Sequence, residues 1–170
     1  DLSVILGFFD GIHQGHKAVI SAGVNFAKRN GIKSALVTFN EAPSVFLKKK
    51  KKQYLLTKSE KIRLIENLGV DYLYLLDFNE DFSKITASDY LKSLIENLHP
   101  KAITSGYNHY FGFNKSGNSD YLKLMQNEYN YEYLEIEPVK IKDGIVSSSK
   151  IREALLSGKI KLANYILGYR

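Results

Sequence analysis

The residues best suited to chemistry stand near the start of the chain, in Gly7-Phe8-Phe9-Asp10-Gly11-Ile12-His13-Gln14-Gly15-His16. This segment follows one apolar run and precedes a helix-periodic one. Its glycines permit tight turning and close approach of a ligand to the main chain. The N-terminus of a helix offers free N–H groups and a positive dipole end, which suits phosphate. His13 and His16 are three residues apart, a spacing that puts both on one helix face. Two imidazoles donating there could stabilise charge that grows on a phosphate in transfer. A single histidine at a helix start is usually an ordinary polar residue. The pair, set at a strand-to-helix junction, reads as functional.

A second group lies far along the chain, in Val146-Ser147-Ser148-Ser149-Lys150-Ile151-Arg152. Three serines ahead of an apolar-periodic stretch make a capped helix start. Arg152 falls within its first turn, and a planar, permanently charged guanidinium suits a polyphosphate. Alone, this group would read as a plain cap with a solvated arginine. Beside the two histidines it reads as the other half of a phosphate site.

Such groups meet only in a frame that sets strand ends beside helix starts. Apolar runs at 2–6 and 33–39 read as strands, and between them Val19, Ile20, Val24 and Ala27 keep helical spacing until Gly31. Thr57-Lys58-Ser59-Glu60 predicts a capping box for a helix that buries Ile62, Leu64, Ile65 and Leu68. Asp71 to Leu76 is the next strand. Thr86 caps a helix carrying Leu91, Leu94, Ile95 and Leu98, His99-Pro100 breaks it as a loop, and Ala102-Ile103-Thr104 is a further strand. Tyr129, Tyr131 and Tyr133 alternate into a strand-like run at 132–137 and are expected on one side of the sheet. A short strand at 139–142, a turn at Asp143-Gly144 and helices over about 147–156 and 159–167 complete the chain. The alternation predicts an α/β fold, a Rossmann-like doubly wound parallel sheet with helices on both faces. Such sheets bind ligands at the carboxyl ends of their strands, where the strand order reverses.

Composition narrows the function classes. The 170 residues suit one domain with a real core, and 44% are apolar. No run approaches the roughly 20 apolar residues of a membrane span. No signal peptide is legible. There is no cysteine, which excludes disulfides and thiolate chemistry and fits a cytoplasmic protein. The net charge of +6 attracts anions of every kind and does not choose among them. The run Lys48 to Lys52 reads first as a solvated loop and second as a flap over a ligand. A nucleic-acid contact ranks third, because only Tyr54 stands near it as a stacking group. No nucleic acid or membrane partner is expected, and the oligomeric state is not legible.

The motifs in order resemble the N-terminal adenylyltransferase module of bacterial bifunctional riboflavin kinase/FAD synthetase, within the nucleotidylyltransferase superfamily. The family pattern G-x-F-D-G-[VI]-H-x-G-H corresponds to Gly7 to His16, and I-S-S-[ST]-x-[IV]-R to Val146 to Arg152. Between them, T-F-x-P-H-P corresponds to Thr38-Phe39-Asn40-Glu41-Ala42-Pro43. G-x-[DN]-F-x-F-G corresponds to Gly106-Tyr107-Asn108-His109-Tyr110-Phe111-Gly112, and Ile166-Leu167-Gly168 matches the segment that leads into the kinase module. The outer motifs belong to the whole superfamily; the inner two narrow it to the flavin branch. Glu41, Ala42 and His109 depart from the pattern, at positions the resemblance sets near the flavin.

The resemblance implies FMN adenylyltransferase activity: AMP passes from ATP to FMN by direct in-line attack, giving FAD and pyrophosphate. Mg2+ would accompany ATP, with no dedicated metal ligands. His13 and His16 would act at the α-phosphate, Ser148 and Arg152 on the outer phosphates, and Asn108 between nucleotide and acceptor. Gly7, Phe8, Phe9, Asp10, Gly11, Gly15, Gly106, Ser147 and Ser149 would line the nucleotide, and Phe39, Pro43 and Phe111 the flavin. The chain is expected as a single nucleotidylyltransferase domain over 1–170 without a riboflavin kinase module. Three alternatives stay open. One is transfer to pantetheine phosphate, nicotinamide mononucleotide or glycerol phosphate. Another is non-catalytic binding of nucleotide or nucleic acid. The last is a flavin-binding regulator.

Overall fold

Strand β1 (Leu2–Leu6) is Leu-Ser-Val-Ile-Leu, and its Val4 and Ile5 are wholly buried. A run that is apolar on both faces belongs in the middle of a parallel sheet covered on two sides. The computed structural model, which describes residues 1–48, 53–142 and 144–169, places it there. Helix α1 (Gln14–Arg29) leads to β2 (Lys33–Phe39), then α2 (Pro43–Lys48), α3 (Lys58–Asn67) and β3 (Tyr72–Leu76). There follow α4 (Glu80–Ser83), α5 (Ala87–Leu98), β4 (Pro100–Gly106), α6 (Ser119–Tyr129) and β5 (Glu132–Ile136). The hairpin of β6 (Lys140–Ile141) and β7 (Gly144–Ile145) precedes α7 (Ser148–Leu156) and α8 (Ile160–Leu167).

The five large strands are all parallel, in the order β3-β2-β1-β4-β5. The chain winds outward from β1 to β3, then returns to add β4 on the other side of β1. The order therefore reverses between β1 and β4, and their carboxyl ends carry Gly7 and Gly106. This is the doubly wound α/β arrangement that the alternation predicts.

Successive side chains of a strand face opposite layers, and the core divides accordingly. Val4 and Leu6 pack with Leu91, Leu94 and Leu98 of α5 and Leu122 of α6. Ile5 packs on the other face with Val19, Ile20 and Val24 of α1 and Ile65 of α3. Helix α1 lies close on the sheet because Gly23 has no side chain: a Cβ there would stand 2.3 Å from Ile5 Cγ1.

Several local expectations need correction. Tyr129 is the last residue of α6, a helix that the tyrosine alternation conceals, so the three tyrosines do not share a strand. Asn118 caps that helix by accepting from Tyr121 N, and Asn130 closes it in the left-handed region. Tyr131 donates its hydroxyl to Leu122 O at 2.6 Å, and Tyr133, on β5, meets Ser105 Oγ at 2.8 Å. His99-Pro100 is no loop: His99 caps α5 and Pro100 opens β4, a strand-start position that a residue without N–H tolerates. The capping box at Thr57 and Glu60 is present, but of the four apolar residues expected inside on α3 only Ile65 is buried; Leu64 and Leu68 pack at the rim of the core. Lys48 ends α2, while Lys49 to Lys52, Asp143 and Arg170 lie outside the described residues.

Candidate active site

The loop leaving β1 bends sharply. Phe9, Gly11 and Ile12 have φ of 56°, 87° and 38°. A β-branched residue at positive φ persists only where its surroundings over-determine it. Here the tethers come from distant elements. Phe8 O accepts from Lys61 Nζ at 2.6 Å and from Thr38 Oγ1 at 3.0 Å. Asp10 O accepts from Ser148 Oγ at 2.7 Å. The Asp10 carboxylate is 5% exposed, accepts from Leu55 N at 3.1 Å and pairs with the Arg152 guanidinium.

This loop hands the chain to α1 through His13. His13 is the N-cap rather than a helical residue, and its Nδ1 accepts from His16 N at 3.2 Å. An accepting Nδ1 puts the ring proton on Nε2, which can donate. Burial of the ring lowers its pKa to about 4, so it is a neutral donor near pH 7. The two imidazoles stack with centroids 3.6 Å apart, and Phe9 meets His16 edge-on at 5.5 Å. His13 and His16 thus come together as a stacked pair and not as neighbours on one helix face, with one ring capping the helix that carries the other.

Helix α7 begins beside it. Ser147 is its N-cap, accepting from Lys150 N at 3.3 Å, and Ser148 reaches back to Asp10. Arg152 donates Nε to Gln53 O at 2.8 Å as well as pairing with Asp10. The expectation that Arg152 stands ready for an anion is therefore refined: its guanidinium already ties the two motifs together.

The N-termini of α1 and α7 open onto one cleft of about 490 Å³. Its walls are residues 6–10 with His13, Gly15 and His16, then 106–110 after β4, 136–139 after β5, and 146–149 with Arg152. The structure therefore gathers His13, His16, Asn108, Ser147, Ser148, Ser149 and Arg152 around one space, with Gly7, Phe8, Phe9, Asp10, Gly15 and Gly106. Gly11 is buried behind this wall, against Leu55.

The residues that the resemblance assigns to the flavin lie outside this cleft. Phe39, Pro43 and Phe111 do not line the cleft. Phe39 stacks edge-on against Phe82 at 5.2 Å, Phe82 meets Tyr90 at 6.0 Å, and Tyr90 meets Phe111 at 5.3 Å. Phe111 stacks on the ring of His109, which lines the cleft, at 5.8 Å. Burial lowers His109 to about 4, and its Nε2 has no hydrogen-bond partner among the described residues. Pro43 opens α2, half-buried. Aromatic and apolar groups that sequence reasoning missed stand at the cleft instead: Tyr107, Tyr110, Pro138 and Val139. Their position just after β4 and β5 was the available signal, because ligands gather at strand ends.

Comparison with known proteins agrees with the motifs. A family model described as FAD synthetase matches residues 1–150. The bifunctional riboflavin kinase/FMN adenylyltransferase of Buchnera aphidicola subsp. Schizaphis graminum is 36% identical over 169 residues, covering 98% of this chain and 54% of that protein. The chain thus spans about half the length of the curated relatives it matches. A crystal structure from Streptococcus pneumoniae, described as a macrolide-efflux protein, superposes with TM-score 0.87 at 32% identity, covering 99% of this chain and 55% of the other. Pantoate-beta-alanine ligase from Francisella tularensis is 14% identical with TM-score 0.57, covering 99% of this chain and 70% of the other, a likeness of fold alone.

Proposed function

The chain belongs to the FAD synthetase family, and we propose that it transfers AMP from ATP to FMN, giving FAD and pyrophosphate. The observation that carries this reading is the convergence of two helix N-termini and a neutral, donating imidazole on one cleft at the reversal of strand order. A phosphate oxygen of FMN attacks the α-phosphorus of ATP, the new P–O bond forms, and the bond to the β-phosphate oxygen breaks in line. The attacking phosphate is already ionised, so no general base is required. Catalysis is then positioning and stabilisation of charge. His13 and His16 donate toward the α-phosphate. The α7 N-terminus, with Ser148, Ser149 and Arg152, faces the outer phosphates. Asn108, exposed at the cleft, orients nucleotide and acceptor.

The flavin is proposed to lie against Tyr107, Tyr110 and Pro138. Phe111 supports that wall through His109, with Phe39 and Pro43 further back. Mg2+ enters with ATP. Among the described residues no group of three or more His, Cys, Asp or Glu could hold a metal ion, and the carboxylate of Asp10 is engaged by Arg152. These donors fit an ion carried by phosphate oxygens and water, which Mg2+ accepts readily. Residues 1–170 act as one nucleotidylyltransferase unit in this reading, and phosphorylation of riboflavin is not assigned to them. No helix of the described residues is long and apolar enough to cross a membrane. A cytoplasmic site of action is part of the same proposal.

The test is an acceptor panel. The protein is incubated with ATP, Mg2+ and, separately, FMN, riboflavin, nicotinamide mononucleotide and pantetheine phosphate, and the products are separated by chromatography. FAD and pyrophosphate from FMN alone is the expected result. Adenylylation of another acceptor in place of FMN overturns the acceptor assignment.

A further inference from the structure

Residues after 150 lie outside the matched family segment, yet their chain end returns to the loop that carries His13. Gln14 donates Nε2 to Tyr165 O at 2.6 Å, and Lys17 donates Nζ to Gly168 O at 3.2 Å. Lys17 Nζ also stands 4.8 Å over the ring of Tyr169. Gly168 closes α8 at φ 72°, and a Cβ there would lie 3.0 Å from Gln14 Cγ, so a glycine lets the chain turn against α1. The turn delivers Tyr169, whose hydroxyl donates to Gly11 O at 2.6 Å across 158 positions. Among the described residues no other donor reaches that oxygen.

Gly11 O belongs to the peptide that links Gly11 to Ile12. Both residues have positive φ, Ile12 is wholly buried, and the next residue is His13, the cap of α1. Because a peptide is planar, holding its oxygen fixes the orientation of the N–H on the other side. The Tyr169 hydroxyl thus sets the plane from which the strained main chain enters His13. The carbonyls of Phe8 and Asp10 in this turn are held by Lys61, Thr38 and Ser148, each from an element that borders the sheet or the cleft. Tyr169 comes from the far end of the chain and lines no part of the cleft.

We propose that Tyr169 is a positioning residue for adenylyl transfer, acting through the Gly11–Ile12 peptide to keep the stacked imidazoles of His13 and His16 in register with the α-phosphate. The inference rests on the function proposed above. Burial holds the Tyr169 hydroxyl protonated, with a pKa raised to about 12, so it remains a donor throughout the neutral range.

The test is Tyr169→Phe in the full chain, which removes the hydroxyl and keeps the ring beneath Lys17. The kcat for FAD formation is expected to fall about fivefold with both KM values within about twofold, the size of effect one hydrogen bond supports. Hydrogen–deuterium exchange is expected to quicken at the amides of residues 8–16 and to stay unchanged in the strands, since local opening is independent of global unfolding. Unchanged kcat with unchanged exchange overturns the proposal. So does a fall in kcat accompanied by faster exchange throughout the sheet, which would mark a general loss of stability. If the parent protein makes no FAD, the function assignment fails by itself. The exchange measurement still decides whether Tyr169 orders the loop: equal rates in parent and variant overturn it.

Discussion

The guanidinium of Arg152 pairs with the carboxylate of Asp10, joining two motifs 142 positions apart at the mouth of one cleft. Asp10 is almost fully buried, so removing its charge leaves a largely sheltered arginine without its partner. Breaking such a pair costs about 3–5 kcal/mol when both groups are buried, and Arg152 retains some exposure, so Asp10→Asn is expected to cost about 2–4 kcal/mol. Urea unfolding at constant m checks it, and a change below about 0.5 kcal/mol would contradict it.

His16 faces the cleft from the first turn of α1, stacked on His13. Loss of one preorganised donor to a developing charge typically costs about 10²–10³ in kcat. His16→Ala is therefore expected to lower kcat by that order while the KM for ATP changes much less. Steady-state kinetics with FMN saturating tests the split, and comparable kcat in variant and parent removes this role.

Burial lowers both His13 and His109 from 6.5 to about 4. Above pH 6.5 each is neutral folded and unfolded, and its stability contribution is fully present. Between about 6.5 and 4 the unfolded chain binds the proton and the folded chain does not, so stability falls as pH falls. Each ring carries on the order of 3 kcal/mol of this dependence. His109→Phe keeps an aromatic ring against Phe111 and removes an imidazole nitrogen that lacks a partner among the described residues. Its stability is expected to rise by about 1–2 kcal/mol at pH 7.5 and by more at pH 5. A variant whose stability falls between these pH values as steeply as the parent's would contradict the shift at His109.

Gly23 sets the closeness of α1 to the sheet, and thereby the height of His13 and His16 over the strand ends. A methyl group there meets Ile5 at 2.3 Å, inside the core between α1 and the sheet. Gly23→Ala is expected to destabilise by about 1–3 kcal/mol through overpacking, despite the higher helix propensity of alanine. Thermal unfolding measures it; a more stable variant would show that α1 can shift freely.

Much of this arrangement is legible in the sequence. Strand β1 and helices α1, α5 and α7 announce themselves through apolar periodicity and capping residues. His13 and His16 stand out by their spacing at a strand-to-helix junction, Arg152 by its place after a serine-capped helix start, and Ser148 through the family resemblance. Helix α6 was hidden because Tyr129, Tyr131 and Tyr133 alternate like a strand while Asn130 interrupts them in the left-handed region. The residues that the resemblance assigns to the flavin were the least legible, because a phenylalanine in a cleft and one in an aromatic core look alike in sequence. Phe39 and Phe111 prove to be linked ring to ring through Phe82 and Tyr90. The tethers from Lys61 and Tyr169 to main-chain oxygens carry no local sequence signal, since they depend on where distant elements finish.

The most direct test of the central claim is a single-turnover reaction with ATP labelled at the α-phosphate, excess protein, Mg2+ and FMN. Direct transfer predicts that the label passes from ATP into FAD, that pyrophosphate is unlabelled, and that no label attaches to the protein at any time. Label that remains in ATP, or that appears first on the protein, would contradict in-line transfer between the two bound substrates.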